Sequence, residues 1–85
     1  MPKIKLFANL RTIAKKKELS VAGTSLGGVL NELLKEVPAL DRFILEDGQI
    51  RPHLVITING HNAAELDVTV TEQDLIAIFP PIAGG

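Results

Sequence analysis

The chain has 85 residues, room for one domain and not two, and 46% of them are apolar, enough to build a core. Nine Lys and Arg against ten Asp and Glu leave a net charge of −1, which argues against nucleic acid or an anionic membrane as the main partner. Cysteine is absent, which removes disulfides, thiolate metal sites and cysteine nucleophiles; Tyr and Trp are absent too, and with only Phe7, Phe43 and Phe79 as aromatics the composition argues against platforms that stack single-stranded nucleic acid.

Lys3 to Ala8 alternates, with Ile4, Leu6 and Ala8 on one side and Lys3, Lys5 and Phe7 on the other. Period two predicts a half-buried strand, with Phe7 an aromatic on the outward face beside lysines. Leu10 to Lys15 reads as about one helical turn. Lys17 to Val21 alternates again with Leu19 and Val21 inward, and Lys15, Lys16 and Lys17 between them read as a solvated hairpin tip. Leu26, Val29, Leu30, Leu33, Leu34 and Val37 form one apolar stripe of a helix. Ser25 is its expected N-cap, and Pro38 stops it, pushing Val37 toward extended geometry. Gly27 and Gly28 weaken the first turn, and their small size suggests close packing on a sheet.

Leu40, Phe43 and Ile44 suggest a short helical turn over part of the core, followed by a tight turn at Asp47-Gly48. Leu54 to Ile58 is nearly all apolar and β-branched, the pattern of a central strand. Asn59-Gly60 is a hairpin signal, with a return strand over His61 to Ala64. Leu66 and Val68 or Val70 anchor a loop, and Leu75 to Phe79 is a last strand ended by Pro80-Pro81. First and last strands are expected to lie centrally in parallel, joined by the long crossover that parallel strands require. The fold class is α+β, a β-grasp, ubiquitin-like roll: a mixed sheet of four to five strands with one main helix packed across it. Residues 1–85 form one domain, with residues 80–85 as a flexible tail. No apolar run approaches a membrane span and no signal peptide is visible, so a cytoplasmic protein is the expectation.

Ordinary catalytic constellations are missing. His53 and His61 lack the spacing of a metal motif, and the Gly residues of the helix start are not followed by the Lys-Ser/Thr of a phosphate loop. The C-terminus stands out: Phe79-Pro80-Pro81-Ile82-Ala83-Gly84-Gly85 has none of the Lys, Glu, Ser or Asp of a solvated tail. Pro-Pro stiffens the exit from the last strand, Ile82 is an apolar grip, and small residues taper to a carboxylate. A terminal glycine has no Cβ, so it fits a narrow channel where a nucleotide approaches its carboxylate. Activated as an acyl-adenylate, that carboxylate becomes able to acylate a sulfur nucleophile or an amine.

Three segments resemble the MoaD family. Lys5-Leu6-Phe7-Ala8-Asn9-Leu10-Arg11 is similar to its first-strand signature, and Ser25-Leu26-Gly27 with the Leu-rich segment is similar to its helix start. Ile78-Phe79-Pro80-Pro81-Ile82-Ala83-Gly84-Gly85 is similar to its C-terminal signature almost letter for letter. The resemblance implies a sulfur carrier, the small subunit of molybdopterin synthase. Gly85, preceded by Gly84, would carry the acyl-adenylate and then the thiocarboxylate. A MoeB/ThiF-like adenylating enzyme would use ATP and Mg, a sulfurtransferase would donate sulfur, and a MoaE-like large subunit would receive the tail to act on cyclic pyranopterin monophosphate. Phe7, Arg11 and Phe79, with Pro80, Pro81, Ile82 and Ala83, would contact partners; no cofactor is expected on the chain itself. For Phe79, simple core packing is the competing reading.

Two departures stand out. Family members often carry Asp-Gly-Asp before the last strand, where this chain has Glu72-Gln73-Asp74, and the stretch from Pro38 to His53 is longer than in the shortest members. The related thiamin sulfur carrier ThiS is shorter and lacks Phe-Pro-Pro. The longer form also resembles sulfur carriers that double as protein modifiers, so conjugation to lysines through Gly85 and a ThiS-like role stay open as alternatives.

Overall fold

A computed structural model of the chain describes residues 1–81. β1 (Lys3–Leu6) places Ile4 and Leu6 inward and Lys3 and Lys5 outward. It runs parallel to β7 (Leu75–Phe79) in the register Ile4↔Ile76 and Leu6↔Ile78. On its other side β1 pairs antiparallel with β2 (Glu18–Ser20). β5 (Val55–Ile58) pairs antiparallel with β7, and β6 (His61–Asn62) closes the far edge, giving the order β2-β1-β7-β5-β6. The sheet is thus mixed, five-stranded and centred on the first and last strands. This is the expected β-grasp.

The main helix, α2 (Leu26–Glu36), buries Leu26, Val29, Leu30 and Leu33 over the inner face of the sheet, where Ile4, Leu6, Ile56, Ile76 and Ile78 meet them. Ser25 caps it as expected, its hydroxyl oxygen accepting from the Gly28 N–H at 3.0 Å. Two more N-terminal donors are met by backbone: Leu26 N–H donates to the Val68 carbonyl and Gly27 N–H to the Leu66 carbonyl. The segment before β7 is therefore a strap across the helix start, held also by Val70 N–H donating to the Thr24 carbonyl. Gly27 is small for that strap and not for the sheet: a Cβ there would lie 3.2 Å from the Leu66 carbonyl oxygen. At the other end Val37 takes φ −132° and ψ 79°, as a residue before Pro must.

Between β1 and β2 lies α1 (Asn9–Ala14), which buries Leu10 and Ala14. The expected strand over Lys3–Ala8 stops at Leu6, and Ala8 is exposed with φ 54° and ψ −132°. The chain has to turn sharply there to start α1, so Ala8 cannot continue the alternation. Lys15, Lys16 and Lys17 accordingly follow a helix and do not form a hairpin tip. Lys15 takes the left-handed conformation that ends α1, with φ 61° and its N–H donating to the Arg11 carbonyl.

The excursion after Pro38 is a 3-10 turn (Pro38–Leu40), α3 (Asp41–Ile44) and a small hairpin of β3 (Leu45–Glu46) and β4 (Gln49–Ile50). Leu40 and Ile44 are buried in the main core. Asp47 (φ 54°) and Gly48 (φ 77°) form the tight turn that the sequence predicts, and Asn59 (φ 52°) and Gly60 (φ 85°) do the same between β5 and β6. The return strand is two residues, shorter than the expected His61–Ala64. No helix among the described residues is long and apolar enough to cross a membrane.

Candidate functional site

Among the described residues, no element covers the outer face of the sheet. Phe79 projects onto it because its neighbour Ile78 points inward, and Phe7 arrives there by continuing the outward row of Lys3 and Lys5. The two rings stack with centroids 4.4 Å apart and planes 16° from parallel. Both are half-buried, so Phe79 belongs to the open face and not to the core. Val55, directly across from Phe79 in the β5–β7 register, is 44% exposed and widens the apolar patch. Ala77 sits on the same face one step up the strand. Burial of a stacked aromatic pair is worth more than its area alone, and such pairs anchor interfaces.

Ala8 is the hinge of this site. Its backbone lies in a region that only glycine visits freely, directly between Phe7 and the start of α1. Arg11, exposed on α1, lines with Lys5, Leu6, Phe7, Lys16, Lys17 and Glu18 a concavity of about 500 Å³ at one flank of the aromatic pair. The structure thus brings Phe7, Phe79 and Arg11 to one region.

Pro80 is half-buried and Pro81 exposed where the chain leaves β7. They line a groove of about 470 Å³ together with Asn9, Arg42, Phe43 and Arg51. The Arg42 guanidinium lies 5.4 Å from the Phe43 ring centre, and Arg51 Nη1 is 3.1 Å from Glu46 Oε1. The long Pro38–His53 stretch therefore furnishes a basic wall beside the root of the tail. Ile82, Ala83, Gly84 and Gly85 lie outside the described residues.

The opposite end of β7 is clamped by polar groups. Asn59 Oδ1 accepts from the Leu75 N–H at 2.9 Å, and Asn59 Nδ2 donates to Asp74 Oδ1 at 2.8 Å. Asp74 Oδ2 accepts from the Thr71 N–H at 2.8 Å. The Thr71 N–H, and then the Asn59 amide, hold the Asp74 carboxyl below its ordinary value of 3.8. The Asp74 N–H in turn donates to the Thr71 carbonyl, so Glu72-Gln73 completes the turn without a positive φ, and no glycine is needed there.

His53 and His61 are both exposed, and among the described residues no three His, Asp or Glu gather as a metal site. Val55, Arg42 and Arg51 escape sequence reasoning. Val55 sits in a strand whose apolar run hides which members face outward, and the arginines meet the tail root only through the fold of the excursion.

The model of the ThiS family matches residues 4–85. Small archaeal modifier protein 3 of Haloferax volcanii is 31% identical over 88 residues, spanning 96% of this chain and 96% of that protein. The solution structure of small archaeal modifier protein 1 from Methanosarcina acetivorans superposes with a TM-score of 0.88 at 36% identity, covering 99% of this chain and 95% of that one. A chain of the Amycolatopsis orientalis BexX/CysO complex gives a TM-score of 0.90 over the whole of both chains at 16% identity, a likeness of fold alone.

Proposed function

The chain belongs to the ThiS family, ubiquitin-like small proteins of the ThiS/MoaD type, and from that premise we propose that it is the sulfur-carrying small subunit of molybdopterin synthase, working through Gly85. The observation that carries the reading is the stacked, half-buried pair Phe7–Phe79 on the outer face of the sheet, followed at once by the stiff Pro80-Pro81 exit. A partner that grips the pair fixes the root of the tail, and two prolines restrict the directions in which it leaves.

The chemistry needs no catalytic side chain from this protein. On a MoeB/ThiF-like enzyme supplying ATP and Mg, the Gly85 carboxylate attacks the α-phosphorus and pyrophosphate leaves. The terminal sulfur of a sulfurtransferase persulfide then attacks the acyl-adenylate carbonyl and AMP leaves, giving an acyl disulfide. A thiol reduces that S–S bond, releasing the thiocarboxylate and leaving the two enzyme or reductant sulfurs as a disulfide. Inserted into a MoaE-like subunit, the thiocarboxylate sulfur bonds to a carbon of cyclic pyranopterin monophosphate, and water then cleaves the acyl C–S bond, leaving sulfur on the pterin and returning Gly85 as a carboxylate. Gly84 and Gly85 suit a narrow channel because neither has a Cβ.

A second reading has its own support: a relative 31% identical is named as a modifier protein. There the same adenylate is taken by a lysine amine, and the product is an amide. In a reconstituted synthase with its cognate large subunit, deleting Gly85 is expected to abolish sulfur transfer. Full transfer by the truncated chain overturns both readings, and Gly-Gly remnants on lysines with no sulfur transfer favour the second.

A further inference from the structure

The chain's charge is segregated along its length. Residues 1–17 hold six of the nine basic residues and none of the ten acidic ones, so they carry +6 against −7 for the remainder. The fold gathers four of the six, Lys5, Arg11, Lys16 and Lys17, around the concavity beside Phe7. All four side chains are exposed, and among the described residues none is in an ion pair. The one acid there, Glu18, lies 3.9 Å from Lys3, which offsets its charge. The near-neutral total hides a concentrated positive flank on the docking face.

We propose that this flank receives an acidic segment of the adenylating enzyme, one carrying Asp and Glu beside an apolar site for Phe7 and Phe79, and that the pairing steers the docking encounter. This rests on the carrier reading for which partner is meant. A protein face fits better than a small anion such as phosphate. The Leu10, Arg11 and Thr12 N–H groups of α1 donate to the Phe7 and Ala8 carbonyls, so these three backbone donors are not free for an anion in the concavity. The positive groups are spread around an open cavity that also holds the Glu18 carboxylate. The cavity is continuous with the aromatic pair through Phe7, which lines it and stacks on Phe79. An apolar centre with a charged rim is the ordinary anatomy of a protein interface, and rim charges act mainly on the association rate.

Two measurements test this. Titrating the isotope-labelled full chain with a hexaglutamate peptide is expected to shift the amide signals of Lys5, Phe7, Arg11 and Lys16 to Glu18, and Lys16→Glu should remove the effect. Shifts scattered over the molecule, or the same saturable shifts with inorganic phosphate at equal ionic strength, overturn it. In the second, association with the adenylating enzyme is expected to slow about fivefold for Lys16→Glu at low salt, converging with wild type at high salt. Lys35→Glu, an equal change of net charge on α2, should stay within about twofold. Equal rates for both variants overturn the inference while leaving Gly85 activation intact. Conversely, a chain that binds hexaglutamate at this flank but is never adenylated contradicts the carrier reading and leaves the acidic-segment proposal standing.

Discussion

Two residues at opposite ends of the sheet are held in unusual states, and each yields an expectation. Ala8 sits at φ 54° and ψ −132°, where a Cβ is strained. Ala8→Gly is expected to stabilise the fold by about 1 kcal/mol in urea unfolding; a loss of stability would mean that the strain is absent. Asp74 accepts from Thr71 and Asn59, and its carboxyl is depressed in the folded state. Its contribution is therefore present above the unfolded carboxylate value and is lost as pH falls through the lower folded value. Thermal midpoints followed down through about pH 4 should fall more steeply for the wild type than for Asp74→Asn. Parallel curves would show that the clamp does not depend on the charge.

At the scale of elements, α2 is held by its cap and by the strap from Leu66 to Val70. Ser25→Ala is expected to cost about 1 kcal/mol through the lost bond to Gly28. Gly23→Ala should cost more, roughly 2 kcal/mol, because a Cβ there would lie 2.6 Å from Val29 Cγ2 and 2.8 Å from the Val29 nitrogen. Equal midpoints for wild type and Gly23→Ala would show that the loop yields freely. The periodic elements were legible: β7 matches its expected span, α2 starts after the expected cap, and both Asx-Gly turns are where local chemistry puts them. What was not legible depends on the path between elements. The end of β1 at Leu6 follows from the reversal at Ala8, and Gly27 faces the strap because residues distant in sequence return to it.

Across the whole molecule, parallel pairing of β1 with β7 brings Phe7 and Phe79 together from near opposite ends of the chain. The candidate site was legible as a set of residue types, and Phe7 as an outward aromatic. Its geometry was not, since stacking, the contribution of Val55 and the basic wall of Arg42 and Arg51 all arise from tertiary placement. Phe79→Ala should weaken docking to the proposed MoaE-like partner about tenfold or more while lowering stability by about 1 kcal/mol. Unchanged affinity would place the interface elsewhere. Whether Gly85 carries sulfur is tested most directly by intact mass spectrometry. After incubation with the adenylating enzyme, ATP, Mg and a sulfur donor, the chain should gain the mass difference between sulfur and oxygen, and the variant lacking Gly85 should not. A chain whose mass stays unchanged while a known carrier is converted in the same mixture would contradict the account.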